Sequence, residues 1–171
     1  MAGTAGLMGF ATFLETLGLR GLGGRPPRKG HEMDIDTSAK AYPVSFTDAE
    51  WRKRLTAEQY QVLRHHGTER PGSCALLREK RPGTFACAGC ANPLFEGGTK
   101  FESGTGWPSF DVPLEGAVET TEDRSMGMLR TEVHCSRCGG HLGHVFPDGP
   151  PPTHKRYCMN GVALTFSPTE S

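Results

Sequence analysis

Thr84-Phe85-Ala86-Cys87-Ala88-Gly89-Cys90 decides the fold: a short strand-like run enters a C-x-x-C knuckle, and Cys135-Ser136-Arg137-Cys138 repeats the device later in the chain. Two such pairs are the usual supply of four thiolates for a tetrahedral zinc ion. Gly89 before the second ligand and Gly139 after the fourth allow the tight backbone that a knuckle needs. The pairs lie further apart than in a zinc ribbon, so the metal is expected to clamp two distant hairpins. Four thiolates leave no position for water or substrate. The expected Zn2+ at Cys87, Cys90, Cys135 and Cys138, one per chain, is therefore structural, contributing on the order of 10 kcal/mol to folding. A framework of three disulfides is the other reading of six cysteines, but such frameworks belong to shorter secreted chains.

The 171 residues suffice for one domain with a modest core. Lys+Arg and Asp+Glu are each 19, a balance that argues against nucleic-acid and membrane-surface roles. No apolar run approaches the ~20 residues of a membrane-spanning helix. With 23 glycines and 13 prolines punctuating short apolar stretches, the pattern is that of a small, mainly β domain.

Residues 1–43 read as a poorly ordered leader, 44–168 as the domain and 169–171 as a tail. Glycine recurs through the first 32 residues, and Arg25-Pro26-Pro27-Arg28-Lys29-Gly30 has a linker's composition. The location expected is cytoplasmic, or an organelle if residues 1–32 act as a transit peptide. Thr47-Asp48-Ala49-Glu50 and Thr56-Ala57-Glu58-Gln59 are capping boxes and predict two short helices, the second stopping at Gly67. From Thr84 onward the chain reads as strand, with a long strand over Met126–His134.

Arg156-Tyr157-Cys158-Met159-Asn160 places a cation, a thiol and an amide on one face of an extended strand. Val162, Leu164 and Phe166 continue that parity, so the far end of this face is expected to enter the core. A guanidinium near sulfur favours the thiolate, the reactive form. A buried structural cysteine is the plainer reading, but Arg and Asn on the same face would then need polar partners. His141-Leu142-Gly143-His144 follows the second knuckle without a zincin glutamate, leaving acid–base duty or a second metal open. Gly104-Thr105-Gly106-Trp107-Pro108 would hold the Trp107 ring out of the strand, although on this stretch alone a core Trp packed beside a turn is the better reading. Cys74, in a loop, is the one other cysteine outside the knuckles.

Taken together, Gly106-Trp107-Pro108-Ser109-Phe110, the two knuckles, His141–Gly149 and Arg156–Asn160 resemble the B-type methionine sulfoxide reductases over roughly Val44 to Pro168. The resemblance implies two antiparallel sheets forming a small barrel-like core, short helices packed outside, and reduction of the R epimer of methionine sulfoxide, free or in proteins. By motif position, Cys158 is the nucleophile and passes through a sulfenic acid. Trp107 seats the methyl group, and His141 and His144 orient or protonate the sulfoxide oxygen. Asn160 holds the group together, Asp148 orients a histidine, Arg156 supports the thiolate and Phe146 shapes the pocket. Many members carry a resolving cysteine where this chain has Thr105. Some relatives use the N-terminal loop instead, which implies Cys74, a Cys74–Cys158 disulfide and thioredoxin as reductant. The competing class is a non-enzymatic, zinc-clamped β-tent module, whose aromatic cage would have only Trp51 and Trp107 to draw on.

Overall fold

The computed structural model describes residues 40–170, so the leader reading lies outside the described residues up to position 39. Both capping boxes form. The Thr47 hydroxyl accepts from the Glu50 amide and opens α1 (Asp48–Arg54). Thr56 and Gln59 do the same for α2 (Ala57–His65). The left-handed residue that ends α2 is His66, at φ 53°, rather than the Gly67 expected from sequence. No helix among the described residues is long and apolar enough to cross a membrane.

The remainder is mainly β: β1 (Gly83–Cys87), β2 (Pro93–Glu96), β3 (Lys100–Phe101), β4 (Ser109–Phe110), β5 (Val118–Asp123), β6 (Arg130–Cys135), β7 (His141–Phe146), β8 (Arg156–Met159) and β9 (Leu164–Pro168). They form two antiparallel sheets, ordered β2-β1-β9 and β3-β4-β8-β7-β6-β5. The long strand expected over Met126–His134 is shorter, beginning at Arg130. Met126 instead takes a left-handed turn conformation (φ 56°) in the connection from β5.

Phe85 of β1, Phe95 of β2 and Phe110 of β4 are fully buried, with Phe95 stacked on Phe110 at 4.3 Å between ring centroids. Each ring contributes roughly 1.5–3 kcal/mol through removal from water, and together they join the small sheet to the large one. Tyr157 and Met159 of β8 point into this core, so alternation turns Arg156 and Cys158 to the other face. The parity expected to run from Asn160 to Phe166 is broken. Asn160 caps a single 3-10 turn, Gly161–Ala163, and the chain then crosses into β9 of the other sheet.

Candidate functional site

Strand register assembles a pocket on the outward face of β8. Cys158 pairs with Ser109 of β4 on one side and with His144 of β7 on the other. Directly paired residues share a face, so the thiol and an imidazole stand side by side. Gly143 is required here, because a Cβ at that position would overlap the carbonyl oxygen of Cys158. Cys158, His144 and Gly143, with Trp107, Phe146, Asn160, Arg130 and Thr68, line a cavity of about 150 Å³.

His141 and His144, three residues apart on β7, would face opposite ways in a regular strand. A register shift against β6 carries Val133↔Gly143 directly to His134↔His141, which leaves Leu142 as an extra residue in β7. The bulge turns both rings to one side, 5.5 Å apart. His144 Nε2 lies 2.7 Å from Asp123 Oδ2, which also accepts from Arg130 at 2.7 Å. Hydrogen bonds from Ser125 and His144 hold the Asp123 carboxyl well below the usual range, so it accepts and His144 Nε2 carries the proton. Burial pushes His144 below the ordinary histidine value; the Asp123 hydrogen bond opposes that shift and the Arg130 charge adds to it. His141 is buried beneath the pocket rather than lining it. Its Nδ1 lies 2.7 Å from Glu132 Oε1, and its Nε2 has no hydrogen-bond partner among the described residues.

Cys158 is half-buried, and burial raises its pKa. The charge of Arg156 and hydrogen bonds from Thr105 and Arg156 oppose that rise without cancelling it. Arg156 itself grips Asp148 through two 2.9 Å contacts, its guanidinium 4.6 Å above the Phe146 ring. Asp148, expected to orient a histidine, is paired with Arg156, and the carboxylates against His144 and His141 are those of Asp123 and Glu132.

Away from the pocket, Cys87, Cys90, Cys135 and Cys138 bring their sulfurs within 4.8 Å of one another. The contacts Cys87–Cys138 and Cys90–Cys135 are 3.7 and 3.5 Å. Four thiolates about 2.3 Å from one tetrahedral ion would lie about 3.8 Å apart, so the donor set fits. The first knuckle is the β1–β2 turn and the second the β6–β7 turn, so the cluster links the two sheets.

Residues 55–168 match the SelR domain model. A protein named peptide methionine sulfoxide reductase MsrB from Agrobacterium fabrum is 53% identical over 126 residues, covering 73% of this chain and 93% of the relative. Relatives of the same name from Pseudomonas putida strain W619 and Methanosarcina barkeri are each 57% identical over 128 residues. Those matches cover 74% of this chain and 96% and 90% of the respective relatives. The chain belongs to the SelR family of MsrB-type reductases.

One residue of this SelR chain that sequence reasoning passed over ties the site together. Glu69 is buried, and its carboxylate accepts from the amides of Gly161 (2.6 Å) and Val162 (2.9 Å). Its own amide donates to Asn160 Oδ1 at 3.0 Å, and its carbonyl accepts from Trp107 Nε1 at 3.2 Å. Asn160 is also anchored on the other side, where Nδ2 donates to the Leu142 carbonyl at 3.0 Å. No local pattern in the sequence marks Glu69, because the groups its carboxylate and amide meet lie 91 to 93 positions away. Cys74 is not brought into the Cys158 pocket. Its sulfur packs over Gly161, where a Cβ would collide with it, and opens onto a separate groove of about 530 Å³.

Proposed function

We propose that this chain reduces the R epimer of methionine sulfoxide to methionine, with Cys158 as the nucleophile. The observation that carries the reading is the single pocket shared by the Cys158 thiol, the Trp107 ring and the His144 imidazole. The thiolate attacks the sulfoxide sulfur while the substrate's methyl group rests on the Trp107 and Phe146 rings. The attack makes a bond between the two sulfurs and the sulfoxide oxygen takes up a proton; the oxygen then passes from the substrate sulfur to the Cys158 sulfur as the sulfur–sulfur bond breaks, leaving a sulfenic acid on Cys158. Methionine leaves. His144 is the acid nearest this oxygen; with Nε2 committed to Asp123, Nδ1 is the nitrogen that picks up and donates the proton. Glu132 fixes the tautomer of His141 behind it, and Asn160 holds the turn that ends the Cys158 strand.

In the second step the Cys74 thiolate attacks the sulfenic sulfur, forming a Cys74–Cys158 disulfide and releasing water. A dithiol protein of the thioredoxin type then reduces that disulfide, for which a potential near −270 mV suffices. The two sulfurs open onto different cavities, so this step requires the Thr68–Cys74 loop to move. Cys87, Cys90, Cys135 and Cys138 hold a structural Zn2+, whose closed thiolate sphere stiffens the scaffold and takes no part in the reaction.

The β-tent alternative is weakened by Trp51, which is buried beside Phe46 and so unavailable to an aromatic cage. Reduction of racemic N-acetyl-methionine sulfoxide tests the assignment. Consumption is expected to stop at half the substrate with the S epimer remaining, and loss of the S epimer instead would overturn it.

A further inference from the structure

We infer that His66, Glu132 and His141 form a second cation site, apart from the four cysteines, suited to a divalent transition metal such as Zn2+. The three donors come from three elements: the end of α2, the middle of β6 and the start of β7. One carboxylate oxygen, Glu132 Oε1, faces both imidazoles, 2.9 Å from His66 Nδ1 and 2.7 Å from His141 Nδ1. The donor atoms all lie within 4.8 Å of one another, so small side-chain shifts bring each to about 2.0–2.2 Å from a shared ion.

Two features set this cluster apart from an ordinary carboxylate flanked by histidines. His66 occupies the left-handed C-cap of α2 at φ 53°, a position that favours glycine, with Gly67 next in the chain. That conformation swings its ring to 5.3 Å from the His141 ring. A non-glycine residue held at positive φ is a reason to look for function. Second, Nε2 of His141 is buried and has no hydrogen-bond partner among the described residues. The ring is therefore held only through Nδ1, the nitrogen that faces Glu132 and the His66 side, and that nitrogen is the one placed to meet an ion.

Burial falls steeply across the site: the His141 side chain is 2% exposed, that of Glu132 14% and that of His66 67%. An ion thus enters from the His66 side and keeps solvent in its remaining positions. Two imidazoles and a carboxylate supply one negative charge and borderline-soft nitrogen donors, a set that prefers Zn2+, Co2+, Ni2+ or Cu2+ over Mg2+ or Ca2+. An ion there takes the nitrogen through which Glu132 holds His141, so occupancy would couple metal level to the pocket.

The test uses the full chain with Cys74→Ser and Cys158→Ser, which removes the two cysteines outside the four-cysteine cluster as competing zinc ligands. Equilibrium dialysis against Zn2+, with metal counted by atomic emission, is expected to find a second equivalent beyond that held by the four cysteines. His66→Ala in the same background should weaken the second equivalent on the order of tenfold or more while the thermal transition stays in place. Glu132→Gln, a second variant of near-equal shape, should weaken it as well. No second equivalent at saturating zinc, or uptake unchanged in His66→Ala, would overturn the site. Neither result bears on sulfoxide reduction, which is assayed separately without added metal.

Discussion

The amide of Glu69 donates to the side-chain oxygen of Asn160 at 3.0 Å, joining residues 91 positions apart. The same glutamate accepts from Trp107 through its carbonyl and caps the turn after Asn160 through its carboxylate. Substrate seat, strand end and loop thus meet at one buried residue, the first two through its main chain and the turn through its carboxylate. Glu69→Ala leaves the Gly161 and Val162 amides unpaired, which should cost about 1–3 kcal/mol in a denaturant titration. By freeing the loop whose main-chain carbonyl holds Trp107, it should also raise KM; an unchanged KM would contradict the positioning role.

Ionisation of Cys158 sets a pH dependence of known sign. Burial holds its pKa above the ordinary thiol value, so the thiolate fraction in the free enzyme rises throughout the neutral range. Alkylation by iodoacetamide should therefore accelerate about tenfold per pH unit through the neutral range and keep rising past pH 8 before it levels. Thr105→Val and Arg156→Gln each remove a group that favours the thiolate, and each should slow alkylation at fixed pH. A plateau below pH 8 would show a thiolate stabilised by something else.

His144 offers a pair of opposite shifts. Burial depresses its pKa, Asp123 opposes the depression and Arg130 adds to it. Asp123→Asn should move the imidazole titration to lower pH, while Arg130→Met should move it to higher pH, both read from the ring proton by NMR. The protonated fraction near neutrality falls in the first and rises in the second. Shifts of the same sign in both would break the electrostatic account.

Stripping the metal should be costly. A closed zinc–thiolate site contributes on the order of 10 kcal/mol to folding, and the four cysteines that would hold the ion join the β1–β2 turn to the β6–β7 turn. Cys135→Ser, or exhaustive chelation under mild denaturant, should release the ion and abolish the cooperative thermal transition. A metal-free chain that melts as before would remove zinc from the scaffold.

Disulfide formation should leave an optical trace. If Cys74 travels to Cys158, the loop must withdraw Glu69, and Trp107 loses the acceptor of its indole N–H. Fluorescence of a Trp51→Phe variant should change on oxidation by one turnover of substrate, and should not change in Cys74→Ser.

Local chemistry made much of this legible before any coordinates. Ligand spacing announced the cysteine cluster, and the capping boxes located both helices, since each is written within a few adjacent residues. The site's supporting groups were hidden for the opposite reason. Whether His141 and His144 share a face depends on a bulge at Leu142 that strand periodicity does not encode. Asp123, Glu132 and Glu69 act on partners contributed by other strands or by the far end of the chain. Asp148 was paired with a histidine on motif position, yet Arg156 is its nearest strong donor. The strand reading past Asn160 failed because a buried carboxylate stabilises a turn there.

The most direct test compares methionine released from an oxidised peptide by the parent chain and by Cys158→Ser, with thioredoxin and its reductase in excess. The account predicts steady turnover from the parent and none above the uncatalysed rate from the variant, with its fold and zinc content unchanged. Sustained release by Cys158→Ser at a rate near the parent's would contradict the assignment of that sulfur as the reagent.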